Sequence, residues 1–218
     1  MIGGVIGDFI GSVFEDSSIK SFNLTPLISR KSHITDDTVL LCATAEALMT
    51  NRDFEFSYRK WAAKYPGIGY GRSTRGWLQT KPGTMGFSYG NGSASRAGVI
   101  GFLDIGETEV MKLAKESAEC SHGHEEAIHA AQAVALTIHL LKKGHSVDFI
   151  EAALYRTFDY IFLYDLVELH ENLMFDCSAV TSVPIAIYIA LHSENYEKIL
   201  RICLYVGAVQ IRSCALPD

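Results

Sequence analysis

The sequence predicts an all-α protein, and three observations carry that prediction. Apolar residues recur every three or four positions over most of the chain, which is the period of one helix face. Runs of alternating β-branched residues, the mark of half-buried strands, are few. The longest periodic stretch, Glu125 to Lys143, carries its own stop signal, with Lys142 and Lys143 in the last turn and Gly144 beyond them.

Composition sets the outer limits. The chain has 218 residues and 48% hydrophobic content, which fits one domain with a large core. A net charge of −6 and the lack of a Lys/Arg cluster argue against nucleic acid as a partner. The most apolar run, Cys177 to Leu191, contains Pro184 and is too short to span a membrane comfortably. No basic start leads into an apolar core and cleavage site, so secretion is not expected. Five cysteines without a CxxC pair fit a reduced, cytoplasmic protein.

The elements follow in order. Gly3, Gly7, Gly11 and Glu15 fall at spacings of four, on one side of a first helix. Ile2, Val5, Ile6, Phe9, Ile10 and Phe14 are available to pack around them. A nucleotide-binding glycine loop is the weaker reading, because the spacing is not GxGxxG and no strand precedes it. Residues 38–49 form a second helix, and Tyr58 to Lys64 contribute to a third. Tyr65 to Gly92 is rich in glycine and poor in charge, with Pro66 and Pro82, and reads as an ordered, functional loop. After the Glu125–Lys143 helix, Ser146 caps another through Phe158, and Asp159 to Phe175 reads as one more. Pro184 stands near the start of a buried helix ending at Leu191, and Asn195 to Val206 is the last.

Three constellations carry chemistry. Thr35-Asp36-Asp37-Thr38 places oxygen-bearing side chains in succession at the head of the apolar run Val39 to Met49. Hard divalent cations such as Mg²⁺ and Mn²⁺ favour such oxygens. A capped helix start with a solvated carboxylate is the plainer reading of those four residues alone. Gly90-Asn91-Gly92-Ser93-Ala94-Ser95-Arg96 can expose consecutive backbone N–H groups to phosphate oxygens, with Ser93 and Arg96 as side-chain helpers, or it can be a simple turn. In Ser121-His122-Gly123-His124 the histidines, with His129, suggest zinc only weakly, since no thiolate stands at finger spacing and HExxH is absent. His122 lining a substrate cleft is the other option.

Taken together, these motifs become specific. Gly7-Asp8-x-x-Gly11-x-x-x-Glu15, Thr35-Asp36-Asp37-Thr38, Gly90-Asn91-Gly92-Ser93-Ala94-x-Arg96 and Ser121-His122-x-His124 before an alanine-rich helix occur in that order. The chain resembles the ADP-ribosylglycohydrolase family, which includes dinitrogenase reductase-activating glycohydrolase. Ser182-Val183-Pro184 resembles part of the family's late buried helix, and the likeness extends to about residue 207. The resemblance implies a compact, orthogonal multi-helix fold around a binuclear Mg²⁺ or Mn²⁺ site. It implies hydrolysis of the bond between ribose C1″ of ADP-ribose and a modified side chain or a small conjugate. By position, Thr35, Asp36 and Asp37 would be metal ligands, and Glu15 and Asp37 would be catalytic. Gly90, Asn91, Gly92 and Ser93 would hold the diphosphate, and His122 would line the cleft.

One departure stands out. The family's second acidic motif, Gly-Gly-Asp-x-Asp-Thr, is expected after the last helix, where this chain reads Val206-Gly207-Ala208-Val209-Gln210-Ile211. We therefore expect an ADP-ribosylglycohydrolase-like domain over 1–207 and an atypical tail, 208–218, from a frameshift or truncation after Gly207. The second metal site would then be incomplete, and a catalytically inactive ADP-ribose-binding module becomes the alternative to a hydrolase.

Overall fold

The computed structural model describes residues 1–14, 20–174 and 176–207. Glu15 and the 208–218 tail lie outside the described residues. Eleven helices fill the described chain, and its only β pairing consists of isolated bridges, so the all-α expectation holds. No helix among the described residues is long and apolar enough to cross a membrane.

The centre is α7 (Glu125–Lys142), which buries Ala127, Ala130, Ala131, Ala133 and Ala135 along with Val134, Ile138 and Leu140. Alanine keeps the helix thin enough for neighbours to approach on several sides. It packs against α5 (Gly92–Gly101), α6 (Glu107–Glu119), α8 (Val147–Phe158) and α10 (Ala179–Leu191). The α5 contact is the tightest. A Cβ on Gly101 would sit 2.5 Å from the Ala135 carbonyl and 2.7 Å from the Ile138 Cβ, so only glycine fits there.

α1 (Ile2–Gly11) lies against α2 (Asp36–Met49), and α2 packs on α3 (Phe54–Lys64) and α5. α11 (Tyr196–Val206) packs on α9 (Leu166–Asn172) and α10. Several ends follow the expected caps. Ser146 Oγ accepts from the Phe149 N–H, Asn195 Oδ1 accepts from the Lys198 N–H, and Gly144 turns left-handed after α7.

Elsewhere the structure departs from expectation. The long loop contains a seven-residue helix, α4 (Arg72–Leu78). Trp77 buries its ring there beneath the Arg59 guanidinium, 4.4 Å from the ring centroid, and donates to the Thr84 carbonyl. α6 has no counterpart among the expected helices, although Val110, Leu113, Ala114, Ser117 and Ala118 form a buried stripe. The helix expected over 159–175 shrinks to α9. Asp159 adopts φ 57° and ends α8, and α9 starts only where the Asp165 side chain accepts from the Val167 and Glu168 N–H groups. Pro184 falls in the second turn of α10, deeper than expected.

Candidate functional site

The acidic motif is shaped from below by a buried carboxylate on α1. Asp8 is 1% exposed. It accepts from the Thr35 N–H at 2.7 Å and Thr35 hydroxyl at 2.5 Å, and from the Thr38 hydroxyl at 2.5 Å and Thr38 N–H at 3.3 Å. Thr35 is the N-cap of α2 and accepts in turn from the Asp37 N–H at 3.4 Å. The two threonines are thereby fixed, and Asp36 and Asp37 in the first turn line a cleft. A helix start suits them, because its unpaired N–H groups offset negative charge.

That cleft, of about 320 Å³, gathers most of the residues singled out from sequence. Asp36 and Asp37 form one side, together with Gly69, Gly71 and Arg72 from the segment leading into α4. Gly90, Asn91, Gly92 and His122 form another, with Ser88, Tyr89 and Cys177. Ser95 ties the two sides together by donating from its hydroxyl to Asp37 Oδ1 at 2.7 Å. Beside Asp36 lies Tyr70, 6% exposed, whose hydroxyl has no hydrogen-bond partner among the described residues. Burial first and the Asp36 charge second push its pKa up to about 12.

The strap 86–91 reaches the cleft because two other segments clamp it. On one edge the Gly86 N–H donates to the Cys120 carbonyl and the Gly123 N–H donates to the Gly86 carbonyl. A Cβ on Gly86 would stand 2.3 Å from the Ser121 carbonyl, so the approach requires glycine. On the other edge the Asn91 N–H donates to the Cys177 carbonyl and the Ala179 N–H to the Tyr89 carbonyl. Asn91 also donates from its side chain to Ser182 Oγ at 3.0 Å. The strap then enters α5, whose first N–H groups have no carbonyl ahead of them within the helix.

Two side chains expected to help with phosphate turn elsewhere. Ser93 is fully buried, and its hydroxyl donates to the Ala127 carbonyl of α7 at 2.9 Å. It does not line the cleft. Arg96 is also fully buried, with its guanidinium 4.3 Å from the Tyr58 ring centroid. It donates to the Ser117 carbonyl at 3.0 Å and to Ser121 Oγ at 2.7 Å. Ser121 Oγ in turn lies 2.8 Å from His122 Nδ1. Burial first, and then the Arg96 charge, hold the His122 pKa well below the usual histidine range, so the ring is neutral.

His124 and His129 do not join His122 in a metal centre. His124 stands by Glu126 and packs edge-on against Phe87 and Tyr89, while His129 faces Glu125 and Phe158. Among the described residues no three His, Cys, Asp or Glu side chains gather as a cation site. Asp36, Asp37 and the Thr35 hydroxyl nevertheless supply the oxygen donors that a hard divalent ion prefers. Asp36 and Asp37 bring theirs to the cleft wall, whereas Thr35 is buried and its hydroxyl donates to Asp8.

Sequence reasoning did not assign roles to Asp8, Tyr70, Ser95 and Ser121. Asp8 had a signal, as the one charged residue within the apolar, glycine-rich helix Ile2–Gly11. Ser121 stood in the Ser121-His122-x-His124 motif without a role of its own. Ser95 and Tyr70 had no signal, because their roles depend on segments that meet only in the fold.

Comparison with known proteins identifies the family and the fold. A sequence model of the family described as ADP-ribosylglycohydrolase matches residues 1–208. A relative from Gallus gallus described as "ADP-ribosylhydrolase ARH3" is 27% identical over 183 residues, which cover 66% of this chain and 49% of the relative. The chain thus spans about half the length of that curated relative. A solved structure described as "ADP-ribosylglycohydrolase-related protein complex" superposes with a TM-score of 0.66 at 19% identity. The superposition covers 98% of this chain and 84% of that one, and at this identity it speaks for the fold.

Proposed function

The chain belongs to the ADP-ribosylglycohydrolase family, and on that premise we propose that it hydrolyses the bond joining ribose C1″ of ADP-ribose to a modified side chain or small conjugate, with the help of a divalent cation. One observation carries the reading. A single cleft brings the carboxylates of Asp36 and Asp37 to face the start of α5 and His122. Such a cleft suits a ligand with hydroxyl groups at one end and a diphosphate at the other.

The residues divide the work by their chemistry. Gly92, at the head of α5, offers its backbone N–H and the positive end of the helix to the diphosphate. Gly90 and Asn91, whose own N–H groups go to Ser88 Oγ and the Cys177 carbonyl, shape the wall beside it, with Ser93 buried behind. Arg72 stands exposed on the cleft rim, on the side of Asp36 and Asp37. Gly92 leaves room for close approach, since a Cβ there would already lie 3.3 Å from His122 Nε2. Asp36 and Asp37 face the ribose. Asp37 is oriented by Ser95, and both are oriented through the Asp8–Thr35 contacts. Cleavage at C1″ builds positive charge on the ribose ring, which a neighbouring carboxylate stabilises. Asp37 is our candidate within the described residues, and Glu15, which lies outside them, is the second.

Thr35, Asp36 and Asp37 would hold Mg²⁺ or Mn²⁺. The ion would orient ribose hydroxyls and lower the pKa of a bound water. The expected partners are ADP-ribosylated proteins or small ADP-ribose conjugates. The cysteine pattern is the ground for placing the protein in the cytoplasm.

A second reading is an ADP-ribose-binding module without turnover. It is favoured by the small number of carboxylates gathered at the cleft among the described residues. Release of ADP-ribose from an ADP-ribosyl-arginine or ADP-ribosyl-serine peptide, with Mg²⁺, Mn²⁺ or EDTA, separates the two. Metal-dependent release that Asp36→Ala abolishes supports the hydrolase. ADP-ribose binding with no release from either peptide supports the module.

A further inference from the structure

Arg96 is a fully buried cation that forms no ion pair with a carboxylate among the described residues. Its partners are the Ser117 carbonyl, the Ser121 hydroxyl, the face of Tyr58 and, at 3.4 Å, the Gly92 carbonyl. Burying such a charge is costly, and neither the diphosphate contacts nor the carboxylates proposed above use it.

Counting donors gives it a role. A guanidinium can only donate, so Ser121 Oγ accepts from Arg96. The single Ser121 proton is then left for His122 Nδ1, 2.8 Å away, which must be the accepting nitrogen. The ring proton therefore sits on Nε2, the atom beside Gly92 at the cleft wall. The opposite tautomer would make Ser121 accept twice and strand its own proton in a pocket only 1% exposed. The nearby Cys120 sulphur is a weak acceptor. A doubly protonated ring meets the same obstacle, in keeping with the depressed basicity of His122.

We propose that Ser121, oriented by Arg96, fixes His122 as the Nε2–H tautomer, so that the ring presents a hydrogen-bond donor to an oxygen of ADP-ribose. Arg96 and Ser121 are then positioning residues, and His122 is the group that touches the ligand. The tautomer decides what the wall accepts. A donor at Nε2 selects an anionic or carbonyl-like oxygen, whereas a lone pair there would repel it. The ligand's identity rests on the function proposed above; the tautomer does not.

The test is long-range ¹H–¹⁵N NMR of the histidine rings at neutral pH in the full chain, with His122→Gln assigning the signal. It is paired with calorimetric titration of ADP-ribose and with melting curves. The parent and Ser121→Thr, which keeps the hydroxyl, should both display Nε2–H and bind alike. Ser121→Ala should populate the Nδ1–H form and bind ADP-ribose about tenfold more weakly, the scale of one lost hydrogen bond in a buried site. Nδ1–H in the parent, or an unchanged tautomer in Ser121→Ala, would overturn the proposal. Nε2–H in a parent that does not bind ADP-ribose would support the relay and count against the ligand.

Discussion

At the scale of single residues, Asp8 has the largest structural consequence. Its carboxylate accepts from the backbone and side chains of both Thr35 and Thr38, and so sets the angle at which Asp36 and Asp37 enter the cleft. Asp8→Leu would leave buried donors unmatched, so we expect a loss of about 2–4 kcal/mol in denaturant unfolding. Buried histidines give a pH signature at the same scale. Burial lowers the pKa of both His122 and His139, and the Lys143 charge adds to the effect at His139. The unfolded chain takes up protons on these rings near the ordinary histidine value of about 6.5, while the folded chain resists doing so. Below that pH the unfolded state holds more protons, and stability should fall as pH falls. His139, buried on α7 and outside the cleft lining, isolates the effect away from the cleft. His139→Leu should flatten the decline in melting temperature on acidification; an unchanged slope would mean that its ring does not contribute.

At the scale of elements, what could be read in the sequence depended on where the information lay. Helices bounded by local signals were legible: Ser146 and Asn195 cap α8 and α11, and Gly144 follows α7. α4 was not, because its short sequence, with Ser73, Thr74 and Gly76 inside a glycine-rich segment, is a poor helix former and Trp77 stabilises it only by docking under Arg59. The segment after α8 failed for the opposite reason. Its acidic and apolar residues suit a helix, but Asp159 turns left-handed and breaks it. The site divides the same way. Thr35, Asp36, Asp37, Gly92 and His122 announce their chemistry by type and spacing, and the fold brings all but Thr35 to line one cleft. The positions of Ser93 and Arg96 could not be read, since only the packing of α5 on α6 and α7 turns them inward. That packing depends on Gly101. Gly101→Val should force α5 from α7 and cost about 1–3 kcal/mol, lowering the melting temperature. Gly106→Ala, where a Cβ meets nothing within 4 Å, should be nearly silent.

At the scale of the whole molecule, α2, the approach to α4, the 86–91 strap and the loop at His122 converge on a cleft. Each wall is anchored separately: α2 through Asp8, and the strap by backbone bonds on both edges. The cleft is thus organised before any ligand enters, which lowers the ordering cost of binding. The most direct measurement is calorimetric titration of ADP-ribose, with Mg²⁺ present, into the parent chain and Gly92→Val. In the variant the added side chain would fill the gap beside His122 Nε2, where even a single Cβ is held to 3.3 Å. The account predicts one ADP-ribose per chain for the parent and affinity at least about tenfold weaker for a folded Gly92→Val, a difference of about 1.4 kcal/mol. No binding by a folded parent, or equal binding by the variant, would contradict the assignment of this cleft to ADP-ribose.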